Sequence, residues 1–488
     1  MDILFTLNGN ITATVSSSEV VRNKVICSLK SSTENSSINS WNLNFSDGNI
    51  NNNNNYKGRR CGVRSVCALG VNEKTGWILA YRDCCRHKKS SKDCVKYRTI
   101  AFRDLYILMY EVYTMTYEPT INRCFVVTRP KPREVFAANF RDRIVQHWIM
   151  LRLSPLFEER FISQGNVSFN CRKGFGSLRA INTLQNDIEQ VSQMYSKPTY
   201  IGKFDLKSFF MSINKYKLLD LLIPFIEENY HEDDKNILIY LVKNTILNCP
   251  QNNCYKTSPS WKWNLLPDYK SLFHLPDWSG LAIGNITSQE IANFLMSFFD
   301  AYMLKECAKI GALYIRFVDD FIVVCNDKKA IITLHKKATK WLKDNLLLTL
   351  HQDKFYLQEA TKGVKFIGSV IKPFRRYTSN STVSGFDNRV YDLEKLCSKI
   401  HNNNVLKLKF LQRNVCSVNS YMGFLVHNNS YALRRHLFSN TPNFWKYCNA
   451  DEKFTKVSVK QEYNYNVKLF NLTNNYELEL SKGIRAAA

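Results

Sequence analysis

Residues 313–325, LYIRFVDDFIVVC, carry two apolar runs around a bare pair of carboxylates, Asp319 and Asp320. Both runs are rich in β-branched and aromatic residues, so the pattern predicts strand, tight turn, strand, with the two acids in the turn. Aspartate is a common turn residue in its own right. The hairpin alone therefore leaves two readings open: ordinary turn chemistry, or carboxylates presented to a divalent metal. Further upstream, YIGKFDLKSFF (200–210) predicts a buried strand ending at Asp205. An acid at the end of an apolar strand is costly unless something pairs with it, and a metal would.

The remaining pattern alternates between the two periods. Cys124–Val127 is a short strand that runs through a basic, proline-punctuated turn to Arg133, and Glu134–Ala138 follows as a second strand. Helical spacing covers 103–115, 140–153, 178–194, 215–240, 289–310, 328–345 and 386–437. Residues 346–350 and 354–357 look strand-like, 363–372 hairpin-like, and 248–278 a long irregular connection. Residues 1–76 differ. They are rich in Ser, Asn and Thr and reach a tract, Asn49–Asn55, broken only by Ile50. Such polar low-complexity sequence buries too little apolar surface to offset its ordering entropy.

Charge changes this picture more than composition does. The chain has 67 Lys and Arg against 42 acids, a net +25 over 488 residues. That excess points to a polyanionic partner, nucleic acid first and an anionic membrane surface second. No run of about 18 apolar residues is present, so no membrane-spanning helix is expected. No signal peptide is evident at the N-terminus either. The fifteen cysteines are scattered and read mostly as reduced, buried, small apolar side chains. Cys84, Cys85, His87 and Cys94 form the one cluster with zinc-ligand chemistry, but it lacks paired CxxC knuckles. Residues 82–98 are strongly basic, and CRKGFGS (171–177) places Arg172 and Lys173 in a glycine-bearing loop suited to approach phosphate.

Asp205, Asp319 and Asp320 together make the metal reading the stronger one. Nucleotidyl transfer uses two divalent ions about 3.5–4 Å apart, held by acids from neighbouring strands. The order FDLKSFF, GNITSQ, FVDD, GVKFIG resembles the palm motifs of reverse transcriptases. The upstream TRPKPREVFAANFRDRIVQHW and RKGFGSLRAIN resemble their finger motifs. The resemblance covers about 80–440 and implies an α+β right-hand polymerase fold of fingers, antiparallel palm and helical thumb. The implied layout is a leader over 1–76, fingers over 77–199, palm with part of the fingers over 200–380, thumb over 381–445 and a tail over 446–488. Where most relatives carry Gln-Gly and Ser-Pro, this chain has Ile283-Gly284 and Ser288-Gln289. That wording is similar to diversity-generating retroelement enzymes, which copy a template-repeat RNA into cDNA with errors opposite adenines.

The resemblance also implies roles. Asp205, Asp319 and Asp320 match the acids that bind two Mg²⁺ ions, with Mn²⁺ as an alternative. Lys354 matches the lysine that protonates leaving pyrophosphate. Lys131 and Arg133 match residues gripping the dNTP triphosphate, and Phe210 the aromatic that excludes a ribose 2′-hydroxyl. Ile283, Gly284 and Gln289 would lie near the nascent pair, while Phe366, Ile367 and Gly368 match the primer grip. The implied partners are template RNA, the RNA–cDNA duplex, dNTPs and a small basic accessory protein, in a bacterial or phage-encoded cytoplasmic enzyme. The segment WNLNFSDGN with its Asn tract resembles a template repeat read in frame, since asparagine codons begin with two adenines. A plain Asn-rich linker is the rival. For the whole chain the rivals are a retron-like or group II intron-like reverse transcriptase and, from another class, a non-catalytic RNA-binding scaffold.

Overall fold

The computed structural model describes residues 71–463 apart from 87, 130 and 401–404, together with three short strands near the N-terminus. Those strands, Ile3–Leu7, Ile11–Val15 and Ser28–Lys30, pair antiparallel within a first unit, Met1–Arg60. The asparagine tract, the rest of the expected leader as far as residue 70, and the tail beyond 463 lie outside the described residues.

The second unit opens with three helices, α1 (Val71–Cys85), α2 (Lys92–Arg98) and α3 (Ala101–Tyr113). Strands β1 (Asn122–Val127) and β2 (Arg133–Ala137) pair as the expected hairpin, Val127 opposite Arg133. Helix α4 (Phe140–Ser163) runs a further ten residues past the expected end at 153 and tolerates Pro155. Asn139 starts it, its side chain accepting from the Arg141 amide at 3.3 Å. Trp148 of α4 stacks on Trp77 of α1, ring centres 5.1 Å apart. Helix α5 (Ser177–Val191) comes next.

Strand β3 (Tyr200–Asp205) carries the first acid. The following helical pattern, read as one segment over 215–240, is two helices, α6 (Lys215–Asn229) and α7 (Lys235–Leu247). The polar stretch between them breaks the apolar stripe, and the Tyr230 hydroxyl bonds Asp234 at 2.6 Å across the gap. The connection after α7 is also more ordered than its composition predicts. It adds β4 (Cys254–Lys256) parallel to β1, and Ser271 donates at 2.8 Å to the buried Glu134 of β2. A long-range carboxylate anchor of this kind leaves no local pattern.

Helix α8 (Ile286–Lys309) leads to β5 (Leu313–Phe317) and β6 (Asp320–Cys325). Helix α9 (Lys328–Trp341) then precedes β7 (Tyr356–Glu359). The sheet order is β7-β3-β6-β5, all antiparallel. Residues 346–350, read as strand-like, make only a single bridge, Leu206 to Leu350, because Leu347 turns left-handed at φ 57°.

The continuous apolar run of β6 is explained by burial on both faces. Phe321, Val323 and Cys325 join the main core with Phe294, Phe299 and Ile331 from α8 and α9. Ile322 and Val324 join a second core with Ile181, Leu184 and Ile188 of α5. Side chains alternate across a strand, so a strand sandwiched by helices needs apolar residues at every position. Beyond the sheet, β8 (Val364–Phe366), β9 (Ser369–Lys372) and β10 (Arg375–Thr378) form an antiparallel meander. Helices α10 (Asn380–Cys397) and α11 (Val405–Leu425) enclose a separate core that includes Phe386, Leu393, Leu411 and Phe438.

Candidate active site

The ladder places Asp205, the last residue of β3, directly opposite Asp320, the first of β6. Directly opposed residues on neighbouring antiparallel strands have Cα atoms about 4.5–5.5 Å apart. Phe317 also pairs with Asp320, which leaves Val318–Asp319 as the two-residue turn. The apolar pattern had put both acids in that turn. Instead the hairpin closes one residue earlier, and Asp320 belongs to the strand.

Val318 sits at φ +60°, a conformation rarely adopted by a β-branched residue. Arg316 supports it, its Nη1 donating to the Val318 carbonyl at 3.0 Å. Arg316 is fully buried and makes a bidentate pair with Asp300 of α8 at 2.7 and 2.6 Å. The Tyr314 hydroxyl completes the network on Asp300 at 2.8 Å. Sequence patterning missed this group. The available signal was an arginine inside LYIRF and an aspartate on the apolar face of α8.

Burial pushes the Asp319 carboxyl up to about 6, with the charges of Asp320 and Asp205 adding to the effect and Arg133 opposing it. Asp320 is also raised by burial, opposed by Lys203, whose Nζ donates to Asp320 Oδ2 at 3.2 Å. Lys354 Nζ pairs with Asp205 Oδ2. The three carboxylates thus feel one another, and two ammonium groups offset part of their repulsion. Among the described residues no three His, Cys, Asp or Glu side chains stand in ligating geometry. The donor set is nevertheless hard oxygen on neighbouring strands, which suits Mg²⁺, an ion that takes one or two protein carboxylates and completes its shell with water and phosphate.

Other expected residues arrange themselves around these acids. Arg133 is exposed at the start of β2 and acts electrostatically on Asp319; Lys131 is exposed in the turn before it. Phe210 is half-buried edge-on to Phe209, and its carbonyl accepts from the Leu281 amide at 2.8 Å. Ile283 accepts at its carbonyl from the Phe136 amide of β2 at 2.8 Å. Gly284 lies at φ +124°, and a Cβ there would stand 2.6 Å from the Phe136 carbonyl oxygen. Gln289 is exposed on α8 and accepts from the Cys171 thiol at 3.6 Å. In the β8–β9 hairpin, Ile367 and Gly368 form the tip at φ 44° and 83°, whereas Phe366 is fully buried beneath it. The Gly368 carbonyl accepts from the Ser379 amide at 2.8 Å, tying the tip to the start of α10.

One expectation is corrected. Arg172 is not presented to phosphate. Its guanidinium is buried, paired with Glu158 at 2.9 and 2.6 Å and stacked 3.8 Å from the Phe175 ring centre. The cluster at 84–94 is a packing feature. Cys84, Cys85 and Cys94 are buried, burial holds the Cys84 and Cys85 thiols up at about 12 and about 11, and His87 lies outside the described residues.

Comparison with known proteins gives a family. Residues 129–371, roughly half of the chain, match the family described as reverse transcriptase (RNA-dependent DNA polymerase). No curated protein matches the chain. Among solved structures, apo telomerase from Candida tropicalis aligns at a TM-score of 0.40 and 14% identity, over 74% of this chain and 66% of that one. A form of it truncated from its C-terminal domain aligns at 0.39 and 15%, over 53% and 55%. Telomerase from Candida albicans in complex with a fragment of telomeric RNA aligns at 0.38 and 11%, over 71% and 64%. The chain thus spans less than two thirds of the length of these telomerases. With the matched segment holding Asp205 and Asp320 on adjoining strands and Asp319 in the turn beside them, the chain belongs to the reverse transcriptase family, RNA-directed DNA polymerases with a right-hand fold.

Proposed function

We propose that the chain copies a template-repeat RNA into adenine-mutagenised cDNA, using Asp205, Asp319 and Asp320 as the metal-binding acids. The observation that carries the polymerase chemistry is the opposition of Asp205 and Asp320 across β3 and β6, with Asp319 in the adjoining turn. Two Mg²⁺ ions, when bound, would activate the primer 3′-hydroxyl and stabilise the leaving pyrophosphate. The carboxylates hold that charge at the hairpin tip. Arg133 and Lys131 grip the triphosphate from the finger hairpin, where the guanidinium fork suits phosphate oxygens. Lys354 stands on Asp205, and its ammonium would supply the proton taken up by pyrophosphate. Phe210 closes the sugar pocket, and Ile367 and Gly368 steady the primer end. Residues 77–199, 200–380 and 381–445 serve as fingers, palm and thumb.

The retroelement subtype rests on IGNITSQ (283–289) and on its seat, Ile283 and Gly284 pressed against β2. A shape-tolerant isoleucine there, in place of a hydrogen-bonding glutamine, reduces scrutiny of the base pair. A small basic accessory protein is the expected partner. Primer extension on an adenine-containing RNA, with the product sequenced, tests both levels. Errors concentrated opposite adenine support the subtype. Faithful copying points to a retron-like or group II intron-like enzyme. Full cDNA synthesis by Asp319→Asn rules out the assigned acids, whereas no synthesis by the wild-type chain leaves an RNA-binding scaffold as the reading.

A further inference from the structure

The basic run at 82–103 is not used by the polymerase site, and the structure shows how its charges are sorted. Three acids accompany it, and each meets a side chain of α4, although Asp93 stays about half exposed. Asp83 meets His147 at 2.7 Å, Asp93 meets Arg143 at 3.5 Å, and Asp104 meets Arg141 at 3.2 Å. Arg82, Lys88, Lys89, Lys92, Lys96 and Arg103 are all exposed, and none has an ion-pair partner among the described residues. The acids of α1–α3 are thus largely engaged, and the outer face keeps a net positive charge. Aromatic residues follow the same division. Tyr97 is buried, and its ring and that of Tyr81 pack on Phe140 of α4 at 5.0 and 6.5 Å. Single-stranded binding uses exposed stacking platforms along a charged groove. Here Phe102 alone of these rings is well exposed, so the surface offers charge for phosphates and little for bases.

We propose that the outer face of α1–α3 and the 88–91 turn binds the phosphate backbone of a double-helical RNA segment, at a site separate from the primer–template cleft. Duplex RNA is recognised chiefly through shape, 2′-hydroxyl and phosphate contacts, and lysines with no internal partner supply the phosphate contacts. The choice of RNA over DNA rests on the family's activity. The surface would hold a folded part of the template transcript while a single-stranded part is copied.

The test uses the full chain with Lys88, Lys89, Lys92 and Lys96 all changed to Gln. A second variant with Lys328, Lys329, Lys336 and Lys340 changed to Gln removes the same charge from α9, where all four are exposed. Fluorescence anisotropy measures binding of a blunt RNA hairpin across a salt series. The 88–96 variant is expected to lose affinity about tenfold or more near 0.1 M salt, and the magnitude of its slope of log K against log salt to fall by about three. The α9 variant is expected to stay near wild type. Both variants should extend a short primer–template normally, since neither alters the cleft. Equal affinity losses in the two variants, wild-type affinity in the 88–96 variant, or wild-type protein that binds phosphatidylserine vesicles but not the hairpin would each overturn the proposal. Loss of primer extension in wild-type protein that still binds the hairpin would instead count against the polymerase reading alone.

Discussion

At the level of single residues, the catalytic hairpin depends on groups that do no chemistry. Arg316 and Asp300 form a fully buried pair beneath the turn that presents Asp319. Removing one partner of such a pair leaves an uncompensated buried charge, which destabilises by about 3–5 kcal/mol. Arg316→Met is therefore expected to lower unfolding stability by about that amount in a denaturant titration, and to weaken polymerase activity further by freeing Val318. A loss below 1 kcal/mol would mean that the turn holds itself. Asp319 has the opposite sign. Its carboxyl is held at about 6, above the ordinary carboxylate value, so the folded state favours the protonated form. The ionised group destabilises the fold fully above pH 6, and that destabilisation fades as pH falls toward the unfolded value near 4. Asp319→Asn should thus raise the stability of metal-free protein at pH 7.5 by about 1–3 kcal/mol, with the gain disappearing near pH 4, while abolishing synthesis. Guanidinium unfolding at the two pH values measures it, and an unchanged or lower stability at pH 7.5 would contradict it.

At the level of elements, two close approaches join secondary structures to one another. A Cβ on Gly202 of β3 would stand 2.5 Å from Ile331 Cγ2 of α9. Gly202→Ala must displace that helix and is expected to cost about 1–3 kcal/mol, with Ile331→Val recovering part of the loss. Gly284 combines a left-handed φ with a backbone contact to β2, so Gly284→Ala should strain the α8 entry. Under the proposed function its readout is the dNTP KM, expected to rise more than kcat falls, because the β1–β2 hairpin carrying Arg133 is what shifts. The elements themselves were largely legible beforehand. Strands β3, β5 and β6 and helix α8 stand where periodicity predicts them, since each has a long uninterrupted apolar pattern. The split between α6 and α7, the strand β4 and the left-handed Leu347 were not legible. Each depends on a contact from elsewhere in the chain or on a break too short to disturb a helical average.

For the whole molecule, charge is the dominant property. A net +25 should make nucleic-acid binding fall steeply with salt, log K declining linearly against log salt. A shallow slope in a filter-binding titration would indicate that few phosphates are contacted. Among the described residues no helix is long and apolar enough to cross a membrane. The helices after β10 keep a core of their own, distinct from the sheet cores, joined to them where the Gly368 tip meets α10.

The sequence by itself determined the family reading. Three aspartates at the ends of strand-patterned runs, in motif order, carry that information because strand period and acid placement are local. It also determined the net charge, which is a sum and needs no fold. Tertiary structure decided which charges remain available. Arg172 and Lys88 look alike in a basic stretch, yet Glu158 buries the first and nothing covers the second. It also decided that Asp320 belongs to the strand and that the turn is Val318–Asp319, because register is set by pairing with Phe317 and Asp205. Pairing and burial are relations between distant positions, and no single window of sequence contains both partners.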